Sequence, residues 1–138
     1  MSEGQSNSSA TLHPFFEHLV RPSSSNHWFI APDWFPGLPD ETAPEYTVPV
    51  ERLRAVFDEA IGSLKGVRVK KRDGALTHYI AQTAIFHFKD DIRVQFLPLS
   101  PETSSLAAYS ASRIGFGDLG ANRKRLRHWL GLLGDRLA

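Results

Sequence analysis

The sequence predicts an α+β fold: a four-stranded antiparallel sheet in the order α-β-β-β-β-α, with two helices on one face and an extended N-terminal arm. Three observations lead there. Apolar residues recur at three- and four-residue steps over 50–64 and again over 126–137, the period of an amphipathic helix. Between these segments the apolar period drops to two, in runs divided by turn residues, which is the pattern of half-buried strands. Ahead of the first helix, seven of the nine prolines crowd into 12–49, a density that excludes long helices and central strands.

Taken in order, residues 1–11 are rich in Ser, Gly, Gln and Asn and read as a disordered tail. Residues 12–49 hold the prolines but also Phe15, Phe16, Trp28, Phe29, Trp34, Phe35 and Tyr46. A linker would not carry such aromatics, so this is an arm anchored on the domain by its rings, with a short helical turn near Phe15–Leu19. The domain proper is 50–138. Its first helix presents Val50, Leu53, Val56, Phe57, Ala60, Ile61 and Leu64, with Pro49 at its start and Gly66 at its end. The strands follow as "GVRVKKR", then "LTHYIAQTAIFHF" with apolar residues on both faces, then "DIRVQFLPL" and "SLAAYSASR". A loop over 98–104 separates the last two. Alternation turns Ile92, Val94, Phe96, Leu106, Ala108 and Ser110 inward and leaves Tyr109 and Arg113 on the opposite face. The last helix is "ANRKRLRHWLGLLGDRL", with Leu126, Trp129, Leu130, Leu133 and Leu137 as its stripe.

Composition excludes several function classes. There is no cysteine, hence no disulfide, thiolate nucleophile or Cys-type metal site. The formal charge of +1 is too balanced to argue for a nucleic-acid partner. No apolar run is long enough to span a membrane, and the polar N-terminus lacks the core of a secretory signal, so the chain reads as cytoplasmic. No cofactor is expected. The six histidines show no ligand spacing, so no metal is expected either.

"GFGDLGANRKRL" contains Gly115, Gly117 and Gly120 in the G-x-G-x-x-G pattern. A dinucleotide site needs that turn to open a βαβ unit with a second parallel strand beyond it. Only one helix fits between Gly120 and Ala138, so the glycines are expected to serve a tight link. The cations that follow are more informative. Arg123, Lys124, Arg125 and Arg127 crowd a helix N-terminus, where each is unfavourable by about 0.3–1 kcal/mol. Two compensations are open: Asp118 as a neutralising cap, or an anion bound among the arginines.

The run "FHFKDDIRVQFLP…LAAYSASRIGFGDLGANRKRLRHWL" resembles domain-of-unknown-function family 1499, a bacterial and plastid family. Its Phe-x-Asp-Asp element matches Phe88, Asp90 and Asp91. Its Ser-x-Ser-Arg-x-Gly matches Ser110, Ser112, Arg113 and Gly115. Its Asp-x-Gly-x-Asn-Arg-x-Arg run matches Asp118, Gly120, Asn122, Arg123 and Arg125. The resemblance implies the same element order. It also implies an accessory role, with a protein partner or within a membrane-associated complex, and supplies no activity. Many members have Cys after the Asn that matches Asn26; here His27 and Trp28 follow, so no thiol role carries over.

Asp90 and Asp91 fit an acid–base pair, but Asp91 also lies within reach of Arg113 on the adjoining strand, and a structural set of Asp90, Asp91 and Arg113 is the preferred expectation. Ser110 and Ser112 lack the G-x-S-x-G elbow of a hydrolase. The resulting reading is a non-enzymatic accessory or binding protein. It would engage an anionic ligand or acidic partner surface through Arg113, Asp118, Asn122, Arg123 and Arg125. The alternatives are an enzyme of a small polar substrate using Asp90, Asp91, Arg113 and Asp118, and a structural subunit docking through its aromatic arm.

Overall fold

The structure is a computed structural model that describes residues 11–83, 87–114 and 117–138. The elements are α1 (Pro14–Glu17), β1 (His27–Ala31), β2 (Glu41–Thr42), α2 (Val50–Gly62), β3 (Val67–Asp73), β4 (Leu76–Gln82), β5 (Lys89–Ser100), β6 (Thr103–Ser112) and α3 (Ala121–Leu137). They form one mixed sheet in the order β2-β1-β6-β5-β4-β3. Every pairing is antiparallel except that of β1 with β2.

The sheet therefore has six strands where four were expected. The two extra ones come from the proline-dense segment. β1 occupies a proline-free gap between Pro22 and Pro32, so its backbone donors remain available to β6 on one side. β2 is confined to two residues between Pro39 and Pro44. Proline density limits strand length; it does not keep a short strand out of a sheet interior.

Other boundaries also differ. α2 ends at Gly62, and Gly66, with φ 76°, shapes the turn into β3, where its carbonyl accepts from the Gln82 amide at 2.7 Å. β4 ends at Gln82, short of the expected run to Phe88; residues 84–86 lie outside the described residues. The expected loop over 98–104 is a hairpin instead. β5 runs to Ser100 through a register shift between Pro98 and Ser100, which accommodates the missing proline donor.

The sheet is covered on both faces. On one, Leu53, Phe57 and Ile61 of α2 and Leu126, Trp129 and Leu133 of α3 pack on Ile30, Tyr79, Ile92, Val94, Phe96 and Leu106. Trp129 stands edge-on to Tyr79 and Phe57, at 5.5 and 6.1 Å between centroids. On the other, Phe16, Phe29, Phe35 and Ala31 pack on Leu76, Leu97, Ala107 and Tyr109. β1 serves both layers because alternate residues face opposite sides: Ile30 goes to the helices, Phe29 and Ala31 to the second core. At about 1.5–3 kcal/mol for each large apolar side chain fully buried, this second core is a major part of the stability. Gln95 faces away from the helices, as the alternation of β5 with Val94 and Phe96 requires, and is nonetheless buried. Its amide donates to the Thr11 carbonyl at 2.6 Å and its oxygen accepts from the His13 amide at 3.0 Å. Thr11, placed by the sequence in a disordered tail, is thus tied to the sheet; residues 1–10 lie outside the described residues.

Candidate functional site

The sequence-selected residues gather at one end of the sheet, where β6 leaves and α3 begins. Period-two alternation divides them between faces. The β5–β6 register sets Asp90 opposite Ser112 and Ile92 opposite Ser110, so Asp90, Ser110 and Ser112 face α3. Helical spacing turns Asn122 and Arg125 of α3 back toward them. Asn122 is fully buried and is the hub. Its oxygen accepts from Ser110 Oγ at 2.5 Å and from Arg125 at 2.9 Å. The two N–H groups of its amide are shared among the Asn26 carbonyl, Ser112 Oγ and Asp118 Oδ2, at 3.0, 2.9 and 2.6 Å. Arg125 closes the network on Asp90 at 2.7 Å.

Asp118 caps the start of α3. Its carboxylate accepts from the backbone N–H groups of Gly120 and Asn122, at 2.8 and 3.1 Å. Burial pushes its carboxyl pKa up, but the hydrogen bonds from the Asn122 side chain, the Asn122 backbone and Gly120 outweigh this and hold it below the ordinary range. Gly120 has φ 80°, the left-handed conformation that suits glycine. A Cβ on Gly117 would stand 3.1 Å from Ser25 Oγ. Gly117 and Gly120 thus link an antiparallel strand to the last helix, and the Asp118 carboxylate between them takes up N–H groups that a diphosphate would need. Gly115 lies outside the described residues.

The opposite face carries a second cluster. Arg113 donates to both oxygens of Asp91, at 2.8 and 3.0 Å, and His78 Nε2 contacts Asp91 Oδ1 at 2.7 Å. Burial raises the Asp91 carboxyl, but the bonds from Arg113 and His78 prevail and lower it to about 2. Burial lowers the His78 imidazole; the Asp91 hydrogen bond opposes this, while Arg93 and Lys70 reinforce it. His78 is therefore held below its ordinary value, and its Nε2 is the ring nitrogen that faces the Asp91 carboxylate. Beside it the Arg93 guanidinium lies 4.5 Å from the centre of the Phe15 ring.

Between α3 and β1 runs a groove of about 500 Å³, lined by Ser25, His27, Trp28, Asp40, Asp118 and Arg123, among others. The Arg123 guanidinium stands over the Trp28 ring, 5.5 Å from its centre. The indole N–H donates to Glu41 at 2.8 Å, and Arg127 pairs with the same carboxylate at 3.0 Å. Asp40 accepts from Arg21 and from the Phe29 amide.

The candidate residues thus separate into three groups. Asp91 and Arg113 meet. Asp90 belongs with Arg125 on the other face, so Asp90, Asp91, Arg113 and Asp118 do not converge on one pocket. Arg123 alone among Arg113, Arg123 and Arg125 has no carboxylate within ion-pair distance among the described residues. Sequence reasoning missed His78, Trp28 and Glu41. The alternation of β4 places His78 on the face of Asp91, a readable signal; the position of Trp28 beneath α3 depends on the unforeseen pairing of β1 with β6.

Fold and site together define an α+β protein with a two-sided core and a polar end built around the start of its last helix. It belongs to the family described as Protein of unknown function (DUF1499), whose model matches residues 16–133. A search of curated proteins finds no match. Two of the solved structures that align with it are a START superfamily protein from Mycobacterium smegmatis and a protein from Thermus thermophilus. The first is 13% identical with a TM-score of 0.45, the second 14% identical with a TM-score of 0.35; each alignment covers 69% of this chain and 93% of the other. At these TM-scores neither carries an argument about fold or function. Among the described residues no helix is long and apolar enough to cross a membrane.

Proposed function

We propose that this chain is a non-enzymatic binding protein that engages an anionic group, carboxylate or phosphate, through Arg123 in the groove beside Trp28. One observation carries the reading. Arg125 and Arg127 of the same helix turn are closed on Asp90 and Glu41, while the exposed Arg123 is held over an indole with no carboxylate partner among the described residues. A guanidinium braced on a ring offers a planar fork of donors that matches carboxylate and phosphate oxygens. The contact is through the side chain, because Asp118 already occupies N–H groups at the start of α3.

The enzyme alternative finds less support, since Asp90 and Asp91 are closed on Arg125 and Arg113 on opposite faces and Asp118 is taken up by N–H groups. The arm-docking alternative finds less as well, since Phe16, Phe29 and Phe35 are consumed by the protein's own second core. The test is an NMR titration with inorganic phosphate and with an acidic peptide, following the Trp28 indole N–H. Saturable shifts that vanish in Arg123→Ala are expected. Identical shifts in parent and variant, or none at all, overturn the reading.

A further inference from the structure

We propose that the end of the sheet from which β6 leaves and α3 begins docks onto an anionic lipid surface. The proposal deepens the reading above by naming the partner, and rests on it through Arg123.

Several loops converge on this end. The Gln82 amide bonds to the Gly66 carbonyl, the Thr83 amide to that of Phe88, the Arg113 amide to that of Lys89, and Ser25 bridges to Gly117. Large apolar side chains sit at the tips. Leu119 is 97% exposed and Ile114 58%. Leu38 is 89% exposed and lies toward the same end, because β2 runs parallel to β1 with Glu41 beside Ile30, so the residues before Glu41 run back toward His27, which pairs with Ala111 near the end of β6. Leu38 and Leu119 both have φ 53°, a left-handed conformation that Gly or Asn adopts more easily. Turn chemistry does not account for leucine at either place, and neither side chain packs in a core.

Charge completes the pattern. Among the described residues the carboxylates at this end are engaged: Asp90 by Arg125, Asp91 by Arg113 and His78, Asp118 by N–H groups, Asp40 by Arg21. Lys65, Lys89, Arg123 and Lys124 have no carboxylate within ion-pair distance among the described residues. The rim is therefore net positive between apolar tips. A protein interface is a packed patch whose centre is depleted of charge. Separate apolar tips with cations between them suit a headgroup layer, which receives each tip singly and gathers anionic charge around it.

The test is sedimentation of the full chain with vesicles of phosphatidylcholine alone and of phosphatidylcholine mixed with phosphatidylglycerol. Binding to the mixed vesicles only, weakened by salt, is expected. Lys65→Glu with Lys89→Glu should cut partitioning by about fivefold or more per site. Ile114→Ser with Leu119→Ser should lower it while leaving the urea midpoint unchanged, since both positions are exposed. A chain that stays in the supernatant with anionic vesicles at low salt overturns the proposal, as does binding unaltered by both pairs of substitutions. Soluble phosphate or acidic peptide bound through Arg123 in that same preparation would leave the anion-binding reading standing alone. Vesicle binding that survives Arg123→Ala but fails in both pairs supports the lipid assignment and counts against Arg123 as the anion contact.

Discussion

Asp90 and Asp91 are adjacent in the chain and serve opposite faces of the sheet: Asp90 pairs with Arg125 of α3 at 2.7 Å, Asp91 with Arg113, the residue after β6, at 2.8 Å. A reaction that needed both carboxylates on one substrate would have to reach through the sheet. Each instead anchors a different layer.

The Asp91–Arg113 pair can be measured directly. Arg113→Met should move the Asp91 carboxyl from about 2 back toward its ordinary 3.8, read by carboxyl-carbon NMR. Combining it with Asp91→Asn should recover part of the stability lost, because no carboxylate is then left stranded. A double-mutant cycle with zero coupling would remove the pair from this account.

Acid should destabilise the protein in two stages. Both groups have folded pKa values below their unfolded ones, so their contributions are complete above the unfolded values and fade as pH falls through the folded ones. For His78 the loss begins below 6.5; for Asp91 it extends from 3.8 down to about 2. Urea midpoints against pH should show both stages; His78→Gln should remove the upper one while the lower one persists through Arg113.

Asn122→Ala should cost about 2–4 kcal/mol in urea unfolding, since it strips partners from several shielded polar groups at once. The hub also holds Asp118, so the first turn of α3 should gain amide exchange in the variant. A cost within the error of an exposed substitution would refute the hub.

Gly66→Ala should destabilise by about 1–3 kcal/mol. Its φ of 76° is left-handed, and an added Cβ would stand 2.6 Å from the Gln82 carbonyl oxygen, which belongs to the backbone and has little room to yield. Gly62→Ala, with nothing within 4 Å, is the control and should be neutral or stabilising.

A fragment of residues 41–138 should aggregate. It lacks β1, so it exposes the β6 edge and uncovers Leu97, Ala107 and Tyr109. A soluble fragment with cooperative unfolding would contradict the two-sided core.

The two long helices and the alternating strands before the last of them were legible in the chain, because a helix of 3.6 residues per turn and a strand of period two write their buried faces into local spacing. The same alternation put Asp91 within reach of Arg113, since it settles which side chains share a face. Packing of distant segments accounts for the rest. β1 and β2 have no local signature beneath their prolines and exist by pairing with remote partners. Which carboxylate each arginine takes depends on the angle at which α3 crosses the sheet. Local spacing cannot encode it, because a guanidinium on a long side chain reaches whichever acid the packed core brings near. Arg123 is left over Trp28 for the same reason: the core carries Asp90 to Arg125 and Glu41 to Arg127, and among the described residues no carboxylate to Arg123.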